Sequence, residues 1–290
     1  MNGIIIIDKK KGSTSHDIVY QVKKIFGEKV GHTGTLDPMA TGVLPLLIGK
    51  GTQCSKYLIN HDKTYKATIQ LGEKTDTADS EGKVIEEKNV DLEVFNEEKI
   101  KQVLESFKGK QKQIPPIYSA IKVNGRKLYE YARKGQSIEI KPREIEIYNI
   151  KLSKLDKENK QIQFQVQCSK GTYIRTLCED IATKLNTVGY MKELQRTQVG
   201  EFLIENSITI EDLKEHKNDI QWINEQLIDI EEFFSTKKDI ELSNKKLELF
   251  LNGVKLTYEV EDGIYRIYNN SKFVGTGIVS NHLLKRDIIL

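Results

Sequence analysis

The chain has 290 residues, 38% hydrophobic and 30% charged, which suits a soluble globular protein of one large domain or two and leaves no apolar run long enough to span a bilayer. Its net charge of +3 is uneven: ten Lys/Arg face only Glu130 and Glu139 between Lys108 and Arg143, a net of +8, while eleven acids face four lysines between Glu205 and Glu241, a net of −7. Cys54, Cys168 and Cys178 show no metal-ligand spacing, the five histidines are scattered, and MNGIIIIDKKKG lacks an export signal's basic start, so a cytoplasmic protein without zinc or disulfides is expected.

The first element is a buried strand over 3–8, followed by a turn over Lys9–Gly12. Ser13 to Ser15 offer caps for a helix of about three turns, with Ile18, Val22, Ile25 and Phe26 at helical spacing. Next comes GHTGTLDPMATGVLPLLIGKGT, Gly31 to Thr52: a polar loop, an apolar run from Val43 to Ile48, and a glycine pair. Glycines let the backbone bend tightly and let a ligand approach, and Pro38 biases Asp37 away from helical geometry. One carboxylate, Asp37, is thus held in a turn leading into the core, although Asp-Pro is also a common turn opener.

Tyr65, Ala67, Ile69 and Leu71 alternate with polar residues, which is strand period. DTADSEG at 76–82 fails as a calcium loop because of Ala78 and Glu81, and reads as a turn between strands. GKGT at 49–52 fails as a phosphate loop because Gly51 follows Lys50. Asn96 caps an amphipathic helix with Ile100, Val103, Leu104 and Phe107, closed by Gly109. In QIPPIYSAIKVNGRKLYEYARKG, 113–135, the proline pair forces extension, Asn124-Gly125 signals a hairpin, and Tyr129, Ala132 and Arg133 suggest a short helix. Cations interleaved with Tyr118, Tyr129 and Tyr131 are what an RNA-contacting surface needs, charges for phosphates and rings for unstacked bases.

Ile145 to Leu152 reads as a strand, and Ile162, Phe164, Val166 and Cys168 alternate strictly, predicting another. SKGTYIRTL, 169–177, then opens a helix with Leu177, Ile181 and Leu185, whose first turn carries Arg175. Residues 207–234 read as helical and acidic, with Trp222 and Leu227 as core candidates. From about Lys237 the pattern turns to short strands, Leu247 to Leu251, Tyr265 to Tyr268 and Lys272 to Val279, punctuated by Gly253, Gly263, Gly275 and Gly277.

Three segments carry a resemblance. GHTGTLDPMATGVLPLLIGKGT closely resembles the signature of the TruB family, the tRNA pseudouridine-55 synthases; 113–135 resembles that family's RNA-gripping insertion, and SKGTYIRTL resembles its third signature. The resemblance implies a catalytic Asp37, paired with Arg175, and a Tyr65 that stacks on a flipped base. It implies that His32 fills the space that base leaves, and that Lys9, Tyr173 and Leu194 occupy substrate-binding or pocket positions. Lys10 departs from the family, many of whose members have proline there. Lys122, Arg126 and Lys127 would grip RNA phosphates. The implied fold is α/β (α+β): a mixed, largely antiparallel central sheet with flanking helices and an insertion at about 108–143, together residues 1–236, followed by a small β-rich, PUA-like RNA-binding domain at 237–290.

Pseudouridine formation detaches uracil from C1′ of its ribose, turns it over and rejoins it through C5, with no redox step, so no cofactor is expected. The carboxylate has three routes open: addition to C6, attack on C1′, or removal of a ribose proton. Each needs Asp37 ionised, and Arg175 is expected to lower its pKa. The expected partner is tRNA, through its T-arm and acceptor end, met by a monomer with no membrane association. The rivals are a guide-RNA-dependent synthase subunit and a non-catalytic tRNA-folding chaperone.

Overall fold

The computed structural model describes the backbone of all 290 residues and the side chains of all except Leu92 and Val94. The chain opens with β1 (Gly3–Lys9) and α1 (Ser15–Phe26). Thr14 caps α1 through a reciprocal capping box with Asp17, and Gly27, at φ +67°, ends it. Strands β2 (Val30–His32) and β3 (Thr41–Ile48) bracket the polar loop of the signature, and a 3-10 segment at Gly49–Cys54 leads into α2 (Ser55–Leu58). Then come β4 (Lys63–Leu71), the hairpin β5 (Glu73–Thr75) and β6 (Val84–Glu87), and α3 (Glu97–Glu105). That helix stops at Ser106; Gly109, expected to close it, instead opens β7 (Gly109–Gln113) at φ +98°.

The insertion folds as a two-residue-stranded hairpin, β8 (Lys122–Val123) and β9 (Arg126–Lys127), with Asn124 and Gly125 both at positive φ in its turn, running into α4 (Leu128–Arg133). After it come β10 (Arg143–Asp156), β11 (Gln161–Cys168), α5 (Ile174–Lys184), β12 (Gly189–Val199) and β13 (Phe202–Leu203). The acidic stretch forms three short helices, α6 (Ile210–Glu215), α7 (Ile220–Gln226) and α8 (Ile230–Phe233), with β14 (Ile228–Asp229) before the last.

These strands make a ten-stranded sheet in the order β14-β1-β3-β12-β4-β11-β10-β7, with β2 added on β3 and β13 on β12. Every pairing is antiparallel except β12 against β3. The expected mixed, largely antiparallel sheet is therefore present. Strand β12, between β3 and β4 in the sheet, shows no period-two pattern in sequence because it carries register shifts at Met191/Glu193 and Arg196/Gln198, and a bulge moves each later side chain to the other face. Against one face pack Ile18 and Val22 of α1, Ile100 and Leu104 of α3, and Leu177 and Ile181 of α5.

The last 54 residues hold β15 (Asp239–Glu241), α9 (Asn244–Leu251), β16 (Leu256–Thr257), β17 (Gly263–Asn269), β18 (Lys272–Ser280) and β19 (Leu283–Ile289). The strands form a second, five-stranded sheet, so the chain ends in the expected β-rich unit. The strand expected at Leu247–Leu251 is wrong. Ser243 caps a helix there, Phe250 and Leu247 turn toward the core three residues apart, and Leu249 and Leu251 are exposed.

This unit is not loosely tethered. Ile288 packs in one apolar cluster with Ile4, Val43, Cys54, Leu58, Ile230 and Phe234, and Ile264 and Phe273 lie against it. The buried carboxylate of Asp287 meets Lys56 and Tyr57 of α2 and accepts from Thr276 Oγ1 at 3.0 Å. That cluster covers the second face of β1 and β3. Ile4 and Ile6 point into it, while Ile5 and Ile7 point into the main core, which is why four isoleucines run together.

Candidate active site

The loop between β2 and β3 is cross-braced from several elements. Ser15 Oγ, at the start of α1, accepts from Leu36 N at 2.8 Å and donates to Leu36 O at 3.1 Å. Gly12 N donates to Pro38 O at 2.9 Å, and Leu36, Met39 and Ala40 sink into the core. From β12, Arg196 donates through Nε to Val43 O at 2.7 Å and through Nη2 to Gly34 O at 3.1 Å. Where β12 meets β3, Gly42 sits at φ +104°, and a Cβ there would lie 2.1 Å from Arg196 O, so only glycine allows the strands this close.

Asp37 is therefore carried on a fixed turn. Its Oδ2 lies 3.2 Å from Nε of Arg175, which the first turn of α5 presents. The guanidinium is itself held by three other groups: Nη1 donates to Thr77 O at 3.2 Å and lies 3.5 Å from Asp79 Oδ2, and Nη2 donates to Tyr118 O at 2.8 Å. Asp79 is pinned in turn, accepting from Thr77 Oγ1 at 2.6 Å and from Glu81 N at 3.1 Å. The planar fork thus has one orientation, with one edge offered to the carboxylate.

Asp37, Arg175, Tyr65, Tyr173 and Leu194 line one cavity of about 450 Å³, with Thr33, Lys63, Ser119, Tyr129 and Arg196 also in its walls. Its size falls in the range of small-molecule ligand sites. Tyr65 comes from β4 and lies opposite Arg196 of β12 in the ladder; Leu194 lies two residues before Arg196 on β12. Tyr173 precedes α5, its backbone N–H and C=O bracketed by the side-chain amide of Gln113 at 2.8 and 3.0 Å.

Burial pushes the Asp37 carboxyl above its ordinary pKa; Arg175 pulls it back down, Asp79 adds to the rise, and Lys9 opposes it. Arg175 lowers the pKa as expected, but desolvation at the foot of the cleft outweighs the ion pair. The carboxyl's one third of exposed surface faces the cavity.

The remaining expected site residues lie elsewhere. Lys9 has no exposed surface: its ammonium donates to the carbonyls of Ser13 at 2.6 Å, Lys10 at 3.1 Å and Pro38 at 3.2 Å, and burial lowers its pKa to about 8. It braces the Asp37 loop from behind instead of touching a substrate. His32 lies beside the cavity on β2, its Nδ1 accepting from Gly34 N at 3.3 Å, and burial, then Arg196 and His16, push its pKa down. Lys122, Arg126 and Lys127 stand on the outer hairpin. Its link to the cavity is Tyr129, whose ring has Lys127 Nζ 5.4 Å and Arg133 Cζ 5.2 Å from its centroid.

Two participants escape sequence reading. Asp79 sits in the turn dismissed as a failed calcium loop; its acidity was visible, its reach to Arg175 was not. Arg196 is one cation in an unpatterned strand and gives no signal, yet it is almost wholly buried beside Tyr65. Among the described residues, no three His, Cys, Asp or Glu side chains converge as a metal site would require.

Known proteins resemble this chain in sequence and fold. Residues 23–174 match the model of the TruB family pseudouridylate synthase N-terminal domain, and 175–235 match that of the tRNA pseudouridylate synthase B C-terminal domain. The tRNA pseudouridine synthase B of Caldanaerobacter subterraneus subsp. tengcongensis is 44% identical over 289 residues, covering 98% of each chain. That of Aquifex aeolicus is 38% identical over 288 residues, again covering 98% of each. Among solved structures, a chain of a Cbf5-Nop10-Gar1 complex matches 95% of this chain and 78% of its own at 27% identity, with a TM-score of 0.67. A chain of an H/ACA RNP bound to a substrate RNA shares the fold at 23% identity and TM-score 0.71, covering 99% of this chain and 85% of that one. With one family model over residues 23–174, a second over 175–235, and relatives alike over nearly the full length, the chain belongs to the TruB family and is a pseudouridine synthase, an isomerase that modifies RNA.

Proposed function

We propose that this enzyme isomerises uridine 55 in the T-loop of tRNA, working alone and without a guide RNA. The observation that carries the reading is the Asp37–Arg175 pair at 3.2 Å, in a cavity walled by Tyr65 and opened by a loop braced from α1 and β12. The target base leaves its stack, which costs a few kcal/mol, and enters the cavity. Tyr65 stacks on it, and Asp37 adds to C6, attacks C1′ or removes a ribose proton. The base then turns and rejoins ribose through C5, and the C5 proton departs. Arg175 fixes the carboxylate and holds it ionised against the pull of burial. His32, kept neutral by burial, takes the vacated place in the stack.

Lys122, Arg126 and Lys127 reach the phosphates of the T-arm. Residues 237–290, with seven Lys/Arg against five acids from 242 onward, add an auxiliary grip toward the acceptor end. The named relatives are tRNA pseudouridine synthases, which supports tRNA as the substrate. The test is incubation of the purified chain with an unmodified tRNA transcript and no guide RNA, followed by mapping of every pseudouridine. Modification of uridine 55 alone supports the reading. Activity that appears only with a guide RNA would favour the guide-dependent subunit, and binding without modification would favour a tRNA-folding chaperone.

A further inference from the structure

The cavity holds charges that its own residues leave unbalanced. On β4, Lys63 and Tyr65 are two residues apart and share a face, and Arg196 of β12 lies opposite Tyr65 on the same side. Lys63 is only 7% exposed and Arg196 only 1%. Among the described residues neither has a carboxylate within 4.0 Å: Arg196 is held by the carbonyls of Val43 and Gly34, and the Lys63 ammonium donates to the His61 carbonyl. Lys170, on the rim above, adds a third cation and is tied to Asn60. Asp37, the carboxylate in the cavity lining, is engaged by Arg175, which also meets Asp79.

A buried cation without a counter-ion is costly, and an ammonium with one of three protons donated still has two to give. Burial, the nearby Arg196 and the rim Lys170 work against its charge, lowering its pKa to about 8, and Asp62 opposes them. An anion brought in with the substrate would relieve this cost. RNA brings one with every nucleotide, and a base lying against Tyr65 has its own flanking phosphate within one side-chain length.

We propose that Lys63 is the anion anchor of the cleft, its ammonium taking a backbone phosphate that flanks the everted uridine while Tyr65 faces the base. The anchor rests on the reading of this cavity as the uridine site. It makes Lys63 a positioning residue: it sets the depth at which the nucleotide sits, so that C1′ and C6 reach Asp37.

The experiment uses the full chain and T-arm hairpin RNAs in which each phosphate flanking the target uridine is replaced, one at a time, by a neutral methylphosphonate. Dissociation constants are measured for wild type, Lys63→Met and Lys63→Arg. One of the flanking substitutions should weaken wild-type binding about tenfold. Lys63→Met should bind the unmodified hairpin about tenfold more weakly and show no further loss on that methylphosphonate, and Lys63→Arg should keep both the affinity and the sensitivity. If Lys63→Met fails to fold, Lys63→Gln, which retains a donor for the His61 carbonyl, carries the same comparison. Losses that multiply at every flanking position, or a neutral variant that binds like wild type, would overturn the anchor. Turnover of the unmodified hairpin by wild type is scored separately: its absence counts against the uridine reading, and normal turnover without coupling counts against Lys63 alone.

Discussion

The Asp37 loop and the basic hairpin at 122–127 are both connections between strands, and they are built in opposite ways. The loop is tied to α1, β1 and β12 by Ser15, Lys9 and Arg196, with Leu36 and Met39 as apolar anchors. The hairpin has two residues per strand, exposed Lys122 and Arg126, a half-buried Lys127, and Leu128 just beyond it as a fully buried anchor. A group that does chemistry must be held within a fraction of an ångström, whereas a group that collects phosphates works through charge and tolerates movement. Rigidity is thus concentrated at the proposed reacting group, and adaptability at the proposed RNA grip.

The largest effect should come from Asp37→Asn. It keeps the size and the hydrogen bond to Arg175 but removes the reacting oxygen's charge. Isomerisation should become undetectable while tRNA binding stays within a few-fold of wild type; substantial turnover in the variant would remove Asp37 from the mechanism.

Next is a chain ending at Ser235. It loses Ile288, Ile264 and Phe273 from the cluster behind β1 and β3, and Asp287 from α2. Each buried apolar side chain is worth about 1.5–3 kcal/mol, so thermal melting should show a large loss of stability, and activity on an isolated T-arm hairpin should fall with it. A truncated chain that melts like wild type and acts normally on the hairpin would show that the braced loop is independent of the last 55 residues.

Arg175→Lys keeps a charge but loses the fork, and the loss of one positioned donor costs roughly 10²–10³ in kcat. The sign of its partners can be read from pH profiles. Burial already sets the acid limb of kcat above the ordinary carboxylate range, with activity lost as falling pH protonates Asp37. Arg175→Gln removes a group that lowers this pKa, so the limb should move to higher pH. Asp79→Asn removes one that raises it, so the limb should move to lower pH. Shifts in the same direction in both variants would break the assigned network.

The smallest effect on the fold, and the sharpest contrast with the loop, should come from neutralising Lys122, Arg126 and Lys127 together. Each phosphate contact contributes about 0.7–0.9 to the logarithmic salt slope. The slope should flatten by roughly 2–3, with melting temperature and saturated turnover unchanged. An unchanged slope would place these residues away from the RNA.

Local signals carried far in this chain. The Thr14 cap, the Asn124-Gly125 turn and the alternation from Ile162 to Cys168 depend on neighbours in sequence, and each element stands where it was expected. The signature around Asp37 and the helix that carries Arg175 were equally plain. Strand β12 was hidden by its bulges, and α9 was mistaken for a strand because a short apolar run suits either period.

What residue order alone determined is the family, the segment that carries Asp37 and most element types, because these rest on local pattern. Tertiary structure decided the rest. It turned Lys9 from a substrate contact into a brace, drew Asp79 and Arg196 into the site, and set Asp37 above its ordinary pKa although Arg175 is beside it. It also packed the C-terminal sheet into the core behind β1. Burial and the approach of residues from 29 to 230 positions apart set these outcomes, through desolvation and charge–charge distance, and neither quantity exists until the chain has folded.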